Sequence, residues 1–213
     1  MKVTLFGATG KTGPYLIDEA LKRGFEVTVF ARASTPFEDD RVRVVRGDLL
    51  DSAVLREAVR GADAVLSALG PSKTPHPKDL PITRATQAVI CAMSQENVTR
   101  LIAISTGTAI DPGDGSDWKA WLPAAAIKRL VPGVYLDIVG LADAIRSSGL
   151  DWTMVRAAFL KNRPASKSLN VGLYGRVRHS LTVSREDMAK FMFDQIKSRE
   201  FVGKAPAVST RER

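Results

Sequence analysis

The residues best suited to chemistry form a glycine-rich run near the start of the chain. Residues 7–13 read Gly-Ala-Thr-Gly-Lys-Thr-Gly, with a glycine at every third position. Apolar residues 3–6 precede the run, and residues 14–23 follow it with apolar side chains at helical spacing. Between a strand and a helix, such glycines bring backbone N–H groups and the helix dipole close to a phosphate. The run predicts a dinucleotide pyrophosphate site; the alternative is that the glycines serve only a tight turn.

The same run excludes a nucleoside-triphosphatase of the P-loop class. Gly10-Lys11-Thr12 matches the end of a Walker A motif, but that motif requires another glycine five residues before Gly10. Leu5 occupies that position. The lysine and threonine therefore do not indicate a kinase or an ATPase.

Arg32 bears on the choice of dinucleotide. It follows the predicted second strand, residues 27–30, at the place where an acidic residue binds a ribose 2′-hydroxyl and a basic residue accommodates a 2′-phosphate. Phe30-Ala31-Arg32 contains no acid. We therefore predict NADP(H) as the cofactor in preference to NAD(H). The alternative is that Arg32 is a solvated loop cation.

The elements that must position these residues alternate along the chain. Apolar segments predict strands at residues 3–6, 27–30, 42–45, 64–69, 101–104 and 152–155. Helical patterns occupy residues 14–23, 53–59, 82–95, 134–147 and 184–196, the last with Ser184 as its N-cap. Alternating strands and helices predict a doubly wound, parallel α/β sheet, the Rossmann fold. We expect one domain over residues 1–213, with residues 107–133 and 156–183 as substrate-side excursions.

Composition narrows the class of protein. The chain has 213 residues, 25% of them charged, a net charge of +8 and one cysteine, Cys91. A single cysteine makes no intramolecular disulfide, and no His or Cys spacing predicts a metal site. We find neither a signal peptide nor a run of about 18 apolar residues. These features predict a cytoplasmic protein with no membrane partner.

Six short segments together resemble a known family. They begin with residues 7–13, 27–32 and 47–49 and continue with residues 63–70, 148–153 and 184–189. In their order and spacing the chain resembles an atypical short-chain dehydrogenase/reductase of the NmrA-like NAD(P)-binding kind, most closely the biliverdin reductase B/flavin reductase group. The resemblance runs nearly end to end.

The resemblance implies roles for individual residues. Gly7, Thr9, Gly10, Lys11 and Thr12 would hold the pyrophosphate. Arg32 would bind the 2′-phosphate, and Asp48 and Leu49 the adenine. The remaining positions would lie at the nicotinamide: Leu69, Gly70, Ser105, Thr106 and Phe159.

The chain departs from most short-chain dehydrogenases at the catalytic pair. These enzymes place a lysine four residues after a tyrosine, so that the cation lowers the phenol pKa and the phenol can transfer a proton. The corresponding pairs here are Tyr15/Glu19, Tyr135/Val139 and Tyr174/Arg178. Alanine also follows Arg156 where the family often has proline, and Phe159 replaces a histidine of the biliverdin reductase group.

Hydride transfer without that pair suits an acceptor that delocalises electrons. We predict an NADPH-dependent reductase of a flavin, a quinone or a tetrapyrrole-like molecule, with Ser105 or Thr106 as candidate catalytic groups. Two alternatives remain open. One is a non-catalytic NADP(H) sensor of the NmrA-like type. The other is a biosynthetic ketone or enone reductase that uses Ser105, Tyr135 or water as the acid.

For the histidines, two tryptophans and the cysteine, the sequence favours a structural role over a role in the site. We expect His76 and His179 to be exposed loop histidines rather than proton donors. Trp118 and Trp121 could form a lid over an acceptor, but their spacing favours the buried face of a helix. Cys91 is expected in the core.

The positive charge is concentrated in one segment. Between residues 152 and 185 there is no acid and there are seven cations, namely Arg156, Lys161, Arg163, Lys167, Arg176, Arg178 and Arg185. The segment follows the sixth predicted strand and lacks a nucleic-acid-binding motif. It therefore predicts a small-molecule partner, such as an anionic conjugated substrate, rather than nucleic acid. Solvated surface cations are the alternative.

Overall fold

The computed structural model describes residues 1–71 and 75–211, apart from the side chain of Lys119. Residues 72–74, in the loop expected to follow the fourth strand, and residues 212–213 lie outside the described part. Within the described residues the main sheet has eight strands, which lie in the order β3 (Arg43–Gly47), β2 (Glu26–Arg32), β1 (Lys2–Phe6), β4 (Ala64–Ser67), β5 (Arg100–Ser105), β6 (Asp151–Arg156), β10 (Ala207–Thr210) and β8 (Leu169–Gly172). All neighbouring pairs are parallel except β10 and β8. The predicted doubly wound α/β fold is confirmed.

A second, two-stranded sheet pairs β7 (Phe159–Lys161) with β9 (Thr182–Ser184). The helices are α1 (Gly13–Lys22), α2 (Ser52–Val59), α3 (Pro81–Gln95), α4 (Trp118–Leu130), α5 (Pro132–Arg146) and α6 (Arg185–Asp194).

Helices cover both faces of the main sheet. On one face α1 and α6 pack over a core that includes Leu5, Leu16 and Met192. On the other face α2, α3 and α5 enclose a core that includes Phe6 and Ile145. Because both faces are covered, the central strands are apolar throughout, which is why their sequence segments are continuous rather than alternating.

Helix ends follow the expected local rules. Ser184 caps α6 as predicted, accepting a 2.9 Å hydrogen bond from the N–H of Asp187. Asp51 caps α2 in the same way through the N–H groups of Ala53 and Val54. The side chain of Thr12, at the start of α1, makes no capping hydrogen bond. Helix α1 therefore begins without a side-chain cap.

Predictions about the core are wrong at three positions. Cys91 is exposed, because the buried face of α3 passes through Val89 and Cys91 is about 200° further round the helix. Trp118 and Trp121 are also exposed, because α4 buries the opposite side, at Ala120 and Ala124. The fourth strand is two residues shorter than predicted, ending at Ser67.

The segment after β6 contributes to the main sheet as well as extending from it. β8 forms the antiparallel edge against β10, and neither strand was predicted.

Within the described residues, no helix has the length and apolarity needed to cross a membrane. The same residues contain no cluster of three or more His, Cys, Asp or Glu side chains able to hold a metal ion.

Candidate cofactor and substrate site

Two positions of the turn between β1 and α1, Gly7 and Gly13, have no space for a side chain. Gly7 has a φ of +75°, and a Cβ there would lie 2.7 Å from the carbonyl of Ala68. A Cβ on Gly13 would lie 1.5 Å from the carbonyl oxygen of Ala8. Gly10 donates to the carbonyl of Gly7 at 3.1 Å, and Gly13 donates to that of Gly10 at 3.0 Å. Two successive close turns thus carry the chain from the strand into the helix.

Backbone donors remain available in this turn. Among the described residues, the N–H groups of Thr9, Lys11 and Thr12 have no hydrogen-bond acceptor. The positive end of the α1 dipole lies at the same place, without a capping side chain. These properties suit an anion such as a pyrophosphate.

A first pocket of about 280 Å³ opens beside the turn. Its lining includes Gly7, Thr9, Gly10, Arg32, Leu49 and Leu69. Arg32 is exposed at the end of β2, and Phe30 and Thr35 also line the pocket although sequence reasoning did not select them. The pocket therefore runs from the glycine turn to the Arg32 cation, past apolar surface on which a flat ring could lie.

A second pocket, of about 170 Å³, shares four residues with the first, so that the two adjoin. The shared residues are Ala68, Leu69, Gly70 and Ile82. Apolar side chains of β5, α5 and β7 form half of the remaining wall, namely Ile104, Ile138, Leu141 and Leu160. Thr12, Ser105 and Thr106 add hydroxyl groups.

Ser105 presents a hydroxyl for which the protein provides no partner. Its side chain lines the second pocket, the residue is only 6% exposed, and its Oγ has no hydrogen-bond partner among the described residues. Thr106 differs, because its Oγ1 accepts from the N–H of Thr108 at 3.2 Å. Buried hydroxyl groups usually find partners, so the Ser105 Oγ is a candidate to hydrogen-bond a ligand atom in this pocket.

Three of the predicted site residues, Lys11, Asp48 and Phe159, line neither pocket. Lys11 and Asp48 are exposed and line neither pocket; the Asp48 carboxylate accepts from the N–H of Leu50 at 2.7 Å. Phe159 is 57% exposed and also lines neither pocket, whereas the next residue, Leu160, lines the second. Since successive strand residues point to opposite sides, β7 presents Leu160 rather than Phe159 to the cavity.

This combination fits a bound dinucleotide. The glycine turn leaves space and donors for a pyrophosphate, Arg32 supplies a cation in the first pocket, and the Ser105 Oγ lacks a partner among the described residues in the second. The family model described as NAD(P)H-binding matches residues 7–199. This chain belongs to that NAD(P)H-binding family. The prediction of a nicotinamide dinucleotide cofactor and of an oxidoreductase-type fold is thereby confirmed; the likeness to the biliverdin reductase B group stays a prediction.

Individual proteins are similar to this chain in sequence or in fold. The chain is 25% identical over 185 residues to the uncharacterized protein YwnB of Bacillus subtilis, covering 86% of this chain and 83% of YwnB. It is 26% identical to the isoflavone reductase homolog IRL of Zea mays, but the match spans only 48% of that protein. A short-chain dehydrogenase/reductase of Veillonella parvula, solved in complex with NADP, superposes with a TM-score of 0.77 at 21% identity. That superposition covers 98% of this chain and 94% of the other.

The two histidines are buried, contrary to the prediction of exposed loop residues. The His76 side chain is 5% exposed, and its Nε2 lies 2.8 Å from Oδ2 of the fully buried Asp137. His179 contacts the Ser209 hydroxyl at 3.1 Å and the carbonyl of Gly172 at 3.2 Å. Burial lowers the pKa of His179, and the Gly172 hydrogen bond only partly offsets this. Both rings therefore hold loops in place.

Asp137 organises one wall of the second pocket. It accepts hydrogen bonds from the N–H groups of Ile82 and Thr83 and from the Thr83 hydroxyl, in addition to its contact with His76. Burial raises the pKa of Asp137, but these hydrogen bonds outweigh it and hold the pKa below the ordinary value. Because Ile82 and Ile138 line the pocket, this cluster fixes the distance between α3 and α5 there.

No tyrosine lines either pocket. The Tyr135 ring lies 5.6 Å from Nζ of Lys128. Tyr174 is buried against Arg156, and burial raises its pKa to about 12. Tyr15 packs against the α1–α6 core. A tyrosine acid is therefore absent from the walls of both pockets.

The basic segment is not a uniform substrate-facing surface. Arg156 is fully buried and forms an ion pair with Asp114, which removes it from the predicted cluster. Arg185 donates to the carbonyl of Leu160 and to Asn162, and Arg163 donates to two threonine hydroxyls. Several of the seven cations thus serve the fold.

Proposed function

We propose that this protein is an NADPH-dependent reductase that transfers hydride to a conjugated acceptor, such as a flavin, a quinone or a tetrapyrrole-like molecule. The supporting observation is the second pocket, which adjoins the dinucleotide pocket at Leu69 and Gly70 and is walled mainly by apolar side chains. Such a wall suits a flat, largely apolar acceptor.

The preference for NADPH rests on Arg32. It lies at the end of β2 and lines the first pocket, where a guanidinium can pair with a 2′-phosphate. The sequence offers no acid at this strand end to bind a free 2′-hydroxyl. The same site would therefore bind NADH more weakly.

When bound, NADPH supplies the hydride. The protein contributes position and environment: Leu69 and Gly70 separate the two pockets, and Ile104, Ile138 and Leu160 limit the access of water to the acceptor. The Ser105 hydroxyl would donate a hydrogen bond to a carboxamide or a carbonyl oxygen placed in the second pocket. Its role is to orient a ligand.

The lack of a tyrosine among the described residues of the pocket walls supports a conjugated acceptor. An ordinary ketone requires a proton as its oxygen gains charge, whereas a flavin or a quinone spreads the added charge over a conjugated system and can take its proton from water. Among the described residues that line the second pocket, the polar side chains are the hydroxyl groups of Thr12, Ser105 and Thr106. The conjugated acceptor is for this reason preferred to a ketone.

The experiment is an acceptor panel with purified protein. NADPH oxidation is followed by its near-ultraviolet absorbance with FMN, menadione, biliverdin or an aryl ketone as acceptor, and NADPH affinity is measured separately by calorimetry. We expect NADPH to bind and at least one conjugated acceptor to be reduced, with no turnover of the ketone. Tight NADPH binding without oxidation by any acceptor would favour the sensor, and turnover of the ketone alone would favour the biosynthetic reductase.

A further inference from the structure

The outward side of α4 exposes an unusual amount of apolar surface. Eleven large hydrophobic side chains are exposed in the described part of the chain, and six of them lie within residues 118–136. They are Trp118, Trp121, Leu122, Leu130, Val131 and Leu136. Isolated exposed hydrophobic residues are common, but a concentration of this kind marks a binding surface.

The arrangement on the helix is regular. Trp118, Trp121 and Leu122 are spaced three and four residues apart and so lie on one side of α4. Ala120 and Ala124 lie on the other side and are buried. Trp118 is 58% exposed and Trp121 53% exposed, so both indole rings face outward. We call Trp118, Trp121, Leu122, Lys128, Arg129 and Leu130 the α4 surface.

The charge of the α4 surface has one sign. Residues 118–136 contain no aspartate or glutamate, and Lys128 and Arg129 are exposed in the last turns of α4. Arg178 lies beside Trp118, where both line a shallow pocket with Asp117 and His179. The chain as a whole carries a net charge of +8. Aromatic and basic side chains thus occur together on one exposed helix.

We propose that the α4 surface binds the surface of an anionic phospholipid bilayer. Indole rings are favoured at the level of lipid headgroups, because one part of the ring is apolar and its N–H is polar. Lysine and arginine beside them attract anionic headgroups. Binding of this kind requires no membrane-spanning helix, and it is independent of the proposed reductase activity.

A second copy of the chain fits this surface less well. A two-fold dimer brings the same surface of both subunits together. Since residues 118–136 contain no acid, a two-fold contact made by these residues alone would give Lys128 and Arg129 no counter-charge. A bilayer supplies that negative charge. The sequence predicted no membrane partner because it contains no run of about 18 apolar residues. The same reading placed both tryptophans on a buried face, which the structure shows to be exposed.

The test uses the full-length protein and lipid vesicles of two compositions, phosphatidylcholine alone and phosphatidylcholine mixed with phosphatidylglycerol. Co-sedimentation measures binding, and tryptophan fluorescence reports the environment of the indoles. Of the three tryptophans, Trp152 is buried, so a blue shift would come from Trp118 and Trp121. We expect binding and a blue shift with the anionic vesicles only, both reduced by salt.

Variants separate the two contributions. The double variant W118S/W121S should lower vesicle affinity by about tenfold or more, and K128Q/R129Q by about fivefold or more. The matched control K22Q/K197Q removes the same charge from exposed lysines at α1 and just after α6, on the opposite face of the sheet, and should bind like the original protein. Circular dichroism would check that each variant is folded.

Three results would overturn the proposal. The first is that the original protein does not bind anionic vesicles at low salt. The second is that K22Q/K197Q loses as much vesicle affinity as K128Q/R129Q, which would mean that binding depends on net charge and not on the α4 surface. The third is a dimer in size-exclusion chromatography that W118S/W121S dissociates, without vesicle binding, which would assign the surface to a second copy.

Discussion

Arg156 and Asp114 form a bidentate ion pair in the interior of the protein. Nη1 and Nη2 of the fully buried arginine each lie 2.6 Å from one carboxylate oxygen. The guanidinium also donates to the carbonyls of Ala109 and Ala205, and Asp114 accepts from the N–H of Tyr174. One pair thus joins the end of β6 to the loop after β5, to the turn after β8 and to the residues before β10.

Asp114→Ala should therefore destabilise the fold strongly. The arginine would remain buried without its counter-charge, which typically costs about 3–5 kcal/mol. The measurement is the free energy of unfolding in urea. Glu57→Ala is the control, because Glu57 pairs with Arg43 at the surface and such pairs contribute about 1 kcal/mol or less. Similar losses in the two variants would contradict a structural role for the buried pair.

Arg32→Glu should reverse the cofactor preference. A carboxylate at the end of β2 would repel a 2′-phosphate and could accept a hydrogen bond from a free 2′-hydroxyl. We expect the ratio of NADPH to NADH affinity to fall by about a hundredfold, which corresponds to about 2.7 kcal/mol. Calorimetric titration of both cofactors measures this ratio.

Lys197→Glu is the matched control for that experiment. It makes the same charge change at an exposed lysine just after α6, away from both pockets. The ratio of the two affinities should stay at its original value in this variant. An unchanged ratio in Arg32→Glu would show that Arg32 does not contact the 2′-phosphate.

Local patterns predicted the fold and much of the phosphate-binding turn, because their information lies within a few neighbouring residues. The glycine spacing, the apolar strands and Arg32 are of this kind. Contacts between distant segments could not be found in this way: His76 meets Asp137 across 61 positions, and Arg156 meets Asp114 across 42. Each acid is one of many in the chain until the fold places it beside its partner.

Helix and strand faces were also ambiguous where several residues were apolar. In α4 the small residues Ala120 and Ala124 are buried and the larger tryptophans exposed, which the hydrophobic pattern does not indicate. In the three-residue strand β7, Phe159 and Leu160 are both apolar, so alternation alone could not tell which faces the pocket. Only the packing of neighbouring elements decides such cases.

Leu160→Trp should separate acceptor reduction from cofactor binding. Leu160 lines the second pocket but not the first, so a larger side chain would fill acceptor space and leave the dinucleotide site intact. We expect at least about a tenfold loss of kcat/KM for the acceptor, or about 1.4 kcal/mol, with little change in NADPH affinity. Steady-state kinetics and calorimetry measure the two effects.

Phe159→Trp provides the control on the same strand. Its side chain is exposed and lines neither pocket, so both kinetics and NADPH affinity should be retained. If Phe159→Trp instead impaired turnover while Leu160→Trp did not, the orientation of β7 in the working enzyme would be the reverse.

Ser105→Ala should weaken ligand binding without weakening the fold. Its buried Oγ has no partner in the described part of the protein, so its removal costs no internal hydrogen bond. A lost hydrogen bond to a ligand should lower the affinity of NADPH or raise KM for the acceptor by about two- to tenfold. Urea unfolding tests whether the stability of the fold is unchanged. Steady-state kinetics and calorimetry test whether ligand binding is weaker. A clear loss of stability would mean that the hydroxyl has a structural partner.

Stability should fall in mild acid because of His179. Burial lowers its pKa in the folded state below the ordinary value of 6.5. As the pH decreases, His179 therefore binds a proton in the unfolded chain before it does so in the folded protein. The contribution of the neutral His179 to stability is fully present above pH 6.5 and is lost as the pH falls below that value. The slope is at most about 1.4 kcal/mol per pH unit for one proton. Urea unfolding between neutral and mildly acidic pH should show a smaller pH dependence in His179→Gln than in the original protein, whereas an equal dependence would assign the titration to another group.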